Sequence, residues 1–270
     1  MLKTKDGLDL FTQSWTIPEP KAILILTHGY NDHSGRFAHV GQALNAAGYS
    51  LYAYDLRGHG RSGGQRGHTP GFDYFLDDLQ LVIENAKQTA PGKKVFGYGH
   101  SMGGNITLNA ALQRPEGLSG VMVTGPWLKL ATEPPAMQAL IAKIAGTLLP
   151  TFSQKAPLNL ADLSRDEKVQ VAYGADPLLH FMMSAKLLNE ITAGGLSALE
   201  HAGALKLPVL LMHGGADPIT SAPATETFYK AAGSADKTFK LYDNMRHEIH
   251  NEFGKKDVFA DMVAWLDKHR

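Results

Sequence analysis

The five residues Ala22-Ile-Leu-Ile-Leu26 are apolar at every position, and comparable short runs recur along the chain between longer stretches of helical spacing. A strand that is apolar on both faces belongs in a parallel sheet covered on both sides by helices. Further strands read at 50–54, 94–98, 120–124, 208–212 and 238–242. Helical patterns lie between them at 37–47, 102–113 and 224–232, and the last helix carries Phe259, Met262, Val263 and Leu266 on one face. The clearest helix sets Phe72, Phe75, Leu76, Leu79, Ile83 and Ala86 along a single stripe. Such alternation predicts an α/β fold with a mostly parallel central sheet flanked by helices. Asp6-Gly7, between two short strand candidates, adds an N-terminal hairpin.

The rhythm breaks over 127–205. That stretch is rich in Leu, Ala and Met, contains Pro134, Pro135, Pro150 and Pro157, and offers no convincing strand. It reads as a helical insertion between two core strands, dividing the chain into core 1–126, insertion 127–205 and core 206–270. The whole length of 270 residues fits one large domain. Lys plus Arg and Asp plus Glu both number 26, which argues against a nucleic-acid partner. With no cysteine, disulfides, thiol catalysis and zinc-thiolate sites are all removed. No apolar run approaches the roughly 20 residues that span a bilayer, and the opening Met-Leu-Lys-Thr-Lys-Asp-Gly does not read as a signal peptide. A cytoplasmic setting is expected.

The sharpest chemical signal is Gly97-Tyr-Gly-His-Ser-Met-Gly-Gly104. Gly99-x-Ser101-x-Gly103, between an apolar strand and a helix that starts with small residues, fits the nucleophile elbow of α/β-hydrolases. The flanking glycines let strand and helix approach where a Cβ would clash. A dinucleotide loop fits less well, because the third glycine of GxGxxG falls one place late. No Gly-Lys-Ser/Thr of a phosphate loop is present.

A serine hydroxyl needs a general base, and that base needs an orienting acid. In this fold they follow in the order Ser, Asp, His. Asp217 lies just past strand 208–212, so it is the expected acid, with Asp243 as its rival. His247 follows strand 238–242 and is the expected base, while His250 reads as packing or capping. His247-Glu-Ile-His250 lacks the spacing of a zinc HExxH motif, and neither metal nor cofactor is expected. The oxyanion donors should be the backbone N–H groups of Met102, after the nucleophile, and Tyr30, on the His28-Gly29-Tyr30 loop.

These residues carry a family resemblance. His28-Gly-Tyr-Asn-Asp-His-Ser-Gly-Arg36-Phe37, the block Asp55 to Ser62, the elbow, Leu163-Ser-Arg-Asp166, Tyr173, Asp176-Pro-Leu178 and His247-Glu248 with Asn251-Glu252 resemble motifs of the monoacylglycerol lipase and lysophospholipase group. The resemblance covers the whole chain. It implies a helical cap at 127–205 over an apolar tunnel, and hydrolysis of one acyl ester on a glycerol-type head. The chain departs from the pattern at Tyr30 and Asn31, where a small residue and glycine are common, and at Asp32, which replaces glutamate.

Three stretches bear on the substrate. Ala136 to Leu149 is apolar almost all round, so it is expected to be buried or to meet lipid or a partner. It could line an acyl tunnel, through Leu140, Ile144 and Leu148, lie on a membrane or micelle, or simply pack. Met182, with Phe181 and Met183, reads as core, although methionine also suits a pliable acyl pocket. The loop Arg57 to His68 is glycine-rich and basic; a structured loop is the simpler reading, and a lysophospholipid phosphate the alternative. A lipid ester, a monoacylglycerol, is therefore the expected substrate, with a lysophospholipid or a general carboxylester as alternatives and a non-catalytic receptor of the same fold as the remoter one.

Overall fold

Ile23 to Thr27 is buried at every position, as a strand apolar on both faces requires. The computed structural model describes all 270 residues apart from the side chains of Ala136 and Ala139. An N-terminal hairpin pairs β1 (Leu2–Lys3) with β2 (Asp9–Leu10), and Gly7 turns it at φ +82°. Strands β3 (Thr12–Trp15), β4 (Ile23–Thr27) and β5 (Ser50–Tyr54) follow, with helix α1 (Ala38–Ala46) before β5. Then come α2 (Phe72–Thr89), β6 (Val95–His100), α3 (Met102–Gln113) and β7 (Gly120–Thr124).

The chain next leaves the sheet for α4 (Ala136–Leu148), β8 (Ser153–Lys155), α5 (Leu160–Leu163) and α6 (Glu167–Gly174). After β9 (Met182–Ser184) and α7 (Ala185–Glu200) it returns through β10 (Val209–Gly214), α8 (Ala222–Ala231), β11 (Lys237–Tyr242) and α9 (Lys255–His269).

Seven strands form the main sheet in the order β11-β10-β7-β6-β4-β5-β3. All pairs are parallel except β3 with β5. The strand period of two splits the core cleanly. Ile23 and Ile25 face Leu79, Ile83 and Ile106 of α2 and α3, whereas Leu24 and Leu26 face Val40, Met262 and Leu266 of α1 and α9. Because the strands run parallel, the loops after β4, β6, β7, β10 and β11 share one edge of the sheet, where ligand sites of such folds form.

The inserted segment differs from expectation in one respect. β8 and β9 pair antiparallel, although neither alternates in the sequence. Their support comes from the core: Ser184 N–H donates to Gly67 O at 2.9 Å, and a Cβ at Gly67 would lie 1.7 Å from Met182 O. A glycine in the basic loop thus lets the two layers touch. Helix α4 packs on α7 through its small side: a Cβ at Gly146 would lie 2.2 Å from Asn189 Nδ2, which itself donates to Ala142 O at 3.1 Å.

Candidate active site

Ser101 follows directly on β6 at φ +55° and ψ −119°, a conformation that costs an L-residue strain and persists only where its surroundings enforce it. They do so here. Its N–H donates to Thr124 O and its carbonyl accepts from Trp127 N–H, each at 3.0 Å. The turn needs its glycines: a Cβ on Gly103 would sit 2.0 Å from Thr27 O, and one on Gly99 2.5 Å from Gly103 O.

On the neighbouring loop, His28 is held at both ring nitrogens. Nε2 accepts from Leu56 N–H at 2.9 Å and Nδ1–H donates to Gly29 O at 2.8 Å. Gly29 passes so close that its Cβ would lie 3.1 Å from Ser101 Cβ. The N–H groups of Tyr30 and Met102, expected as oxyanion donors, have no partner among the described residues.

His247 and Asp217 meet at the same edge, with Nδ1–H of His247 donating to Asp217 Oδ2 at 2.8 Å. Asp243 takes no part in this contact. Asp217 Oδ1 accepts from the N–H groups of Ile219 and Thr220 at 2.8 and 3.1 Å, which fixes the carboxylate. Burial works to raise the pKa of Asp217, but the charges and hydrogen bonds of His247 and His213 overcome it and hold the carboxylate ionised far below its usual range. Burial likewise works to lower the pKa of His247; Asp217, backed by Glu248 and Asp32, outweighs it, so the net shift is upward. His100, its ring 4.8 Å from that of His247, is pushed down to about 3 by burial and by His247, and stays neutral.

Ser101 and His247 both line a cavity of about 170 Å³. Trp127, Leu130, Leu158, Met183 and Ile219 give it an apolar wall, and Asp32, Tyr173 and Glu248 a polar one. The polar wall is a buried network. Arg36 donates to Glu248 through both terminal nitrogens at 2.8 and 2.7 Å and to Asp32 at 2.9 Å, and its guanidinium lies 4.4 Å from the centre of the Tyr173 ring. Asn31 holds a left-handed φ of +51°, where the family pattern has glycine, and its side chain explains the exchange. Its Oδ1 accepts from the N–H groups of His180 and Phe181, and its Nδ2 donates to Tyr173 Oη at 2.9 Å, tying the inserted segment to the core.

Residues 18–254 match the family described as serine aminopeptidase, S33. The chain belongs to that family. A monoacylglycerol lipase of Mycolicibacterium smegmatis is 32% identical, covering 97% of this chain and 94% of its own. An uncharacterized abhydrolase domain-containing protein of Dictyostelium discoideum is 33% identical over 98% of this chain, which spans only 28% of that longer protein. The crystal structure of Paleococcus ferrophilus monoacylglycerol lipase superposes with a TM-score of 0.90 at 32% identity, over 97% of this chain and 100% of that one. The protein is thus a monoacylglycerol lipase-like serine hydrolase with the α/β-hydrolase fold.

In this monoacylglycerol lipase-like chain most of the residues expected along an acyl tunnel stand apart from the cavity beside Ser101. Leu140, Ile144 and Leu148 are 51%, 50% and 73% exposed and are not among the residues that line this cavity, because α4 turns Ala142 and Gly146 toward α7 and its large side chains outward. Met182 also lies off the cavity, where its neighbour Met183 stands instead. A second cavity, of about 960 Å³, runs between α4 and α7 and shares Trp127 and Leu130 with the first. The arginines of the basic loop are engaged away from both: Arg57 with Asp78 and Asp6, Arg66 with Gly60 O, and Arg61 over the Phe11 ring. Among the described residues no helix is long and apolar enough to cross a membrane. Sequence reasoning missed His213, Arg36 and Glu248 as supports of the site; the family pattern contained the last two without their roles.

Proposed function

We propose that the protein hydrolyses monoacylglycerols to fatty acid and glycerol, with Ser101 as nucleophile, His247 as general base and Asp217 as its orienting acid. The supporting observation is the pairing of His247 with Asp217 at 2.8 Å beside the cavity that Ser101 also lines. Ser101 Oγ attacks the ester carbonyl as its proton passes to Nε2 of His247. The tetrahedral oxyanion is met by the N–H groups of Tyr30 and Met102. His247 then gives the proton to the departing glycerol oxygen, leaving an acyl-serine. Water, deprotonated by the same imidazole, attacks the acyl carbon and releases the fatty acid.

The polar wall favours a neutral head group over a phosphate. Two carboxylates, Asp32 and Glu248, share the single Arg36 cation there, so the wall carries excess negative charge. On this reading segment 127–205 acts as a cap over the cores 1–126 and 206–270, and the acyl chain passes Trp127 and Leu130 toward the larger cavity. The outward face of α4 would dock on the membrane or micelle that holds the substrate, since Met137, Leu140, Ile141, Ile144 and Leu148 form one exposed apolar surface.

The test is turnover of monoacylglycerols of short, medium and long chain, a diacylglycerol and a lysophosphatidylcholine, with Ser101→Ala as control. Preference for monoacylglycerol is expected. Preference for the lysophospholipid, or activity on short chains alone, would overturn the substrate assignment.

A further inference from the structure

Asp217 serves two histidines. His213, near the end of β10 and fully buried, points Nε2 at Oδ2 of Asp217 from 3.1 Å, the same oxygen that His247 reaches at 2.8 Å. The remaining contacts of His213 fix its tautomer. Nε2 also lies 3.2 Å from the carbonyl oxygen of Thr220 and 3.3 Å from its Oγ1; carboxylate and carbonyl only accept, and the hydroxyl gives its own hydrogen to Asp217 at 2.8 Å, so Nε2 carries the hydrogen. Nδ1 faces Thr225 Oγ1 at 2.9 Å, a hydroxyl with a hydrogen to give. Both ring nitrogens therefore have partners, with the Nε2–H aimed at the carboxylate. Thr220 Oγ1 lies 2.8 Å from that oxygen as well, so a ring and a hydroxyl compete with His247 for its lone pairs.

We propose that His213 is a positioning residue: its Nε2–H holds Oδ2 of Asp217 toward Nδ1 of His247 and moderates the charge this oxygen presents to the imidazole. The proposal rests on the reading of Ser101, His247 and Asp217 as a triad. Without the His213 donor, the carboxylate is left more negative toward His247 and less fixed in direction. The imidazolium is then stabilised beyond what turnover needs, and the base is protonated at a higher pH. The other groups around the pair are His100 at the end of β6, Asp32 and Arg36 from the segment after β4, Tyr173 of α6 and Glu248 beside His247; none of them contacts Asp217 Oδ2. The change should therefore be traceable to His213.

The experiment measures kcat and KM against pH on a water-soluble short-chain ester for the unaltered enzyme, Ser101→Ala, His213→Leu and His213→Gln. In His213→Leu the acid limb of kcat/KM should move up by roughly half a unit to one unit, with kcat lowered and KM unchanged. In His213→Gln the amide N–H takes the place of the ring donor, so the limb should return toward that of the unaltered enzyme. If His213→Leu does not fold, Thr225→Val, which unpins Nδ1, should move the limb the same way by less. A limb that stays in place in the variant tested, or a Gln variant no better than Leu, overturns the proposal even while Ser101→Ala is inactive. An active Ser101→Ala enzyme would remove the triad itself, and the proposal with it.

Discussion

Single atoms decide whether this site can exist. Gly103 tolerates no side chain, because a Cβ would sit 2.0 Å from the backbone oxygen of Thr27. Gly103→Ala should therefore cost about 1–3 kcal/mol or more in urea unfolding, as overpacking against rigid backbone does. Ser101→Ala removes only an oxygen from a turn held by backbone contacts. It should lower kcat on any ester by at least about 10⁴-fold with an unchanged melting temperature. Arg36 sits between two buried carboxylates, and Arg36→Met leaves both without their cation. The expected loss is about 3–5 kcal/mol, read by denaturant titration. At this scale the sequence told much: GxSxG and the chain order of Asp217 and His247 follow from chemistry that needs those residue types. His213 was hidden because its partner choice depends on where the turn after β10 carries Asp217, which spacing does not reveal.

At the scale of elements, the sheet was legible and the insertion less so. Runs such as Ala22–Leu26 announce the strand Ile23–Thr27, since a parallel core strand is almost wholly apolar and bounded by turns. β8 and β9 do not, because Ser153–Lys155 and Met182–Ser184 are held by each other and by Gly67, all far apart in sequence. Helix α4 is apolar almost all round, so its periodicity names no inner face. The inner face was settled by Gly146 and Ala142, the small residues that let α7 approach. The outer face gives a prediction. Replacing Leu140, Ile144 and Leu148 together with serine should leave turnover of a soluble short ester unchanged and reduce turnover of vesicle-borne long-chain monoacylglycerol several-fold. Co-flotation with vesicles should fall in parallel.

For the molecule as a whole, the electrostatic design sets a working pH. His247 must be neutral to accept the serine proton, and its pKa lies above the ordinary 6.5 because Asp217, Glu248 and Asp32 overcome the effect of burial. Activity should therefore fall as pH drops through a value above 6.5, so the acid limb of kcat/KM lies higher than an unperturbed histidine would give. His100, pushed down to about 3, adds no limb of its own near neutrality. A limb at or below 6.5 would mean that the acidic groups around His247 do not govern it.

The most direct measurement of the central claim is where an activated-serine reagent attaches. A fluorophosphonate reacted with the enzyme, digested and sequenced by mass spectrometry, should be found on Ser101, with labelling slowed strongly in His247→Ala and absent in Ser101→Ala. Attachment at another residue, or undiminished labelling without His247, would contradict the account.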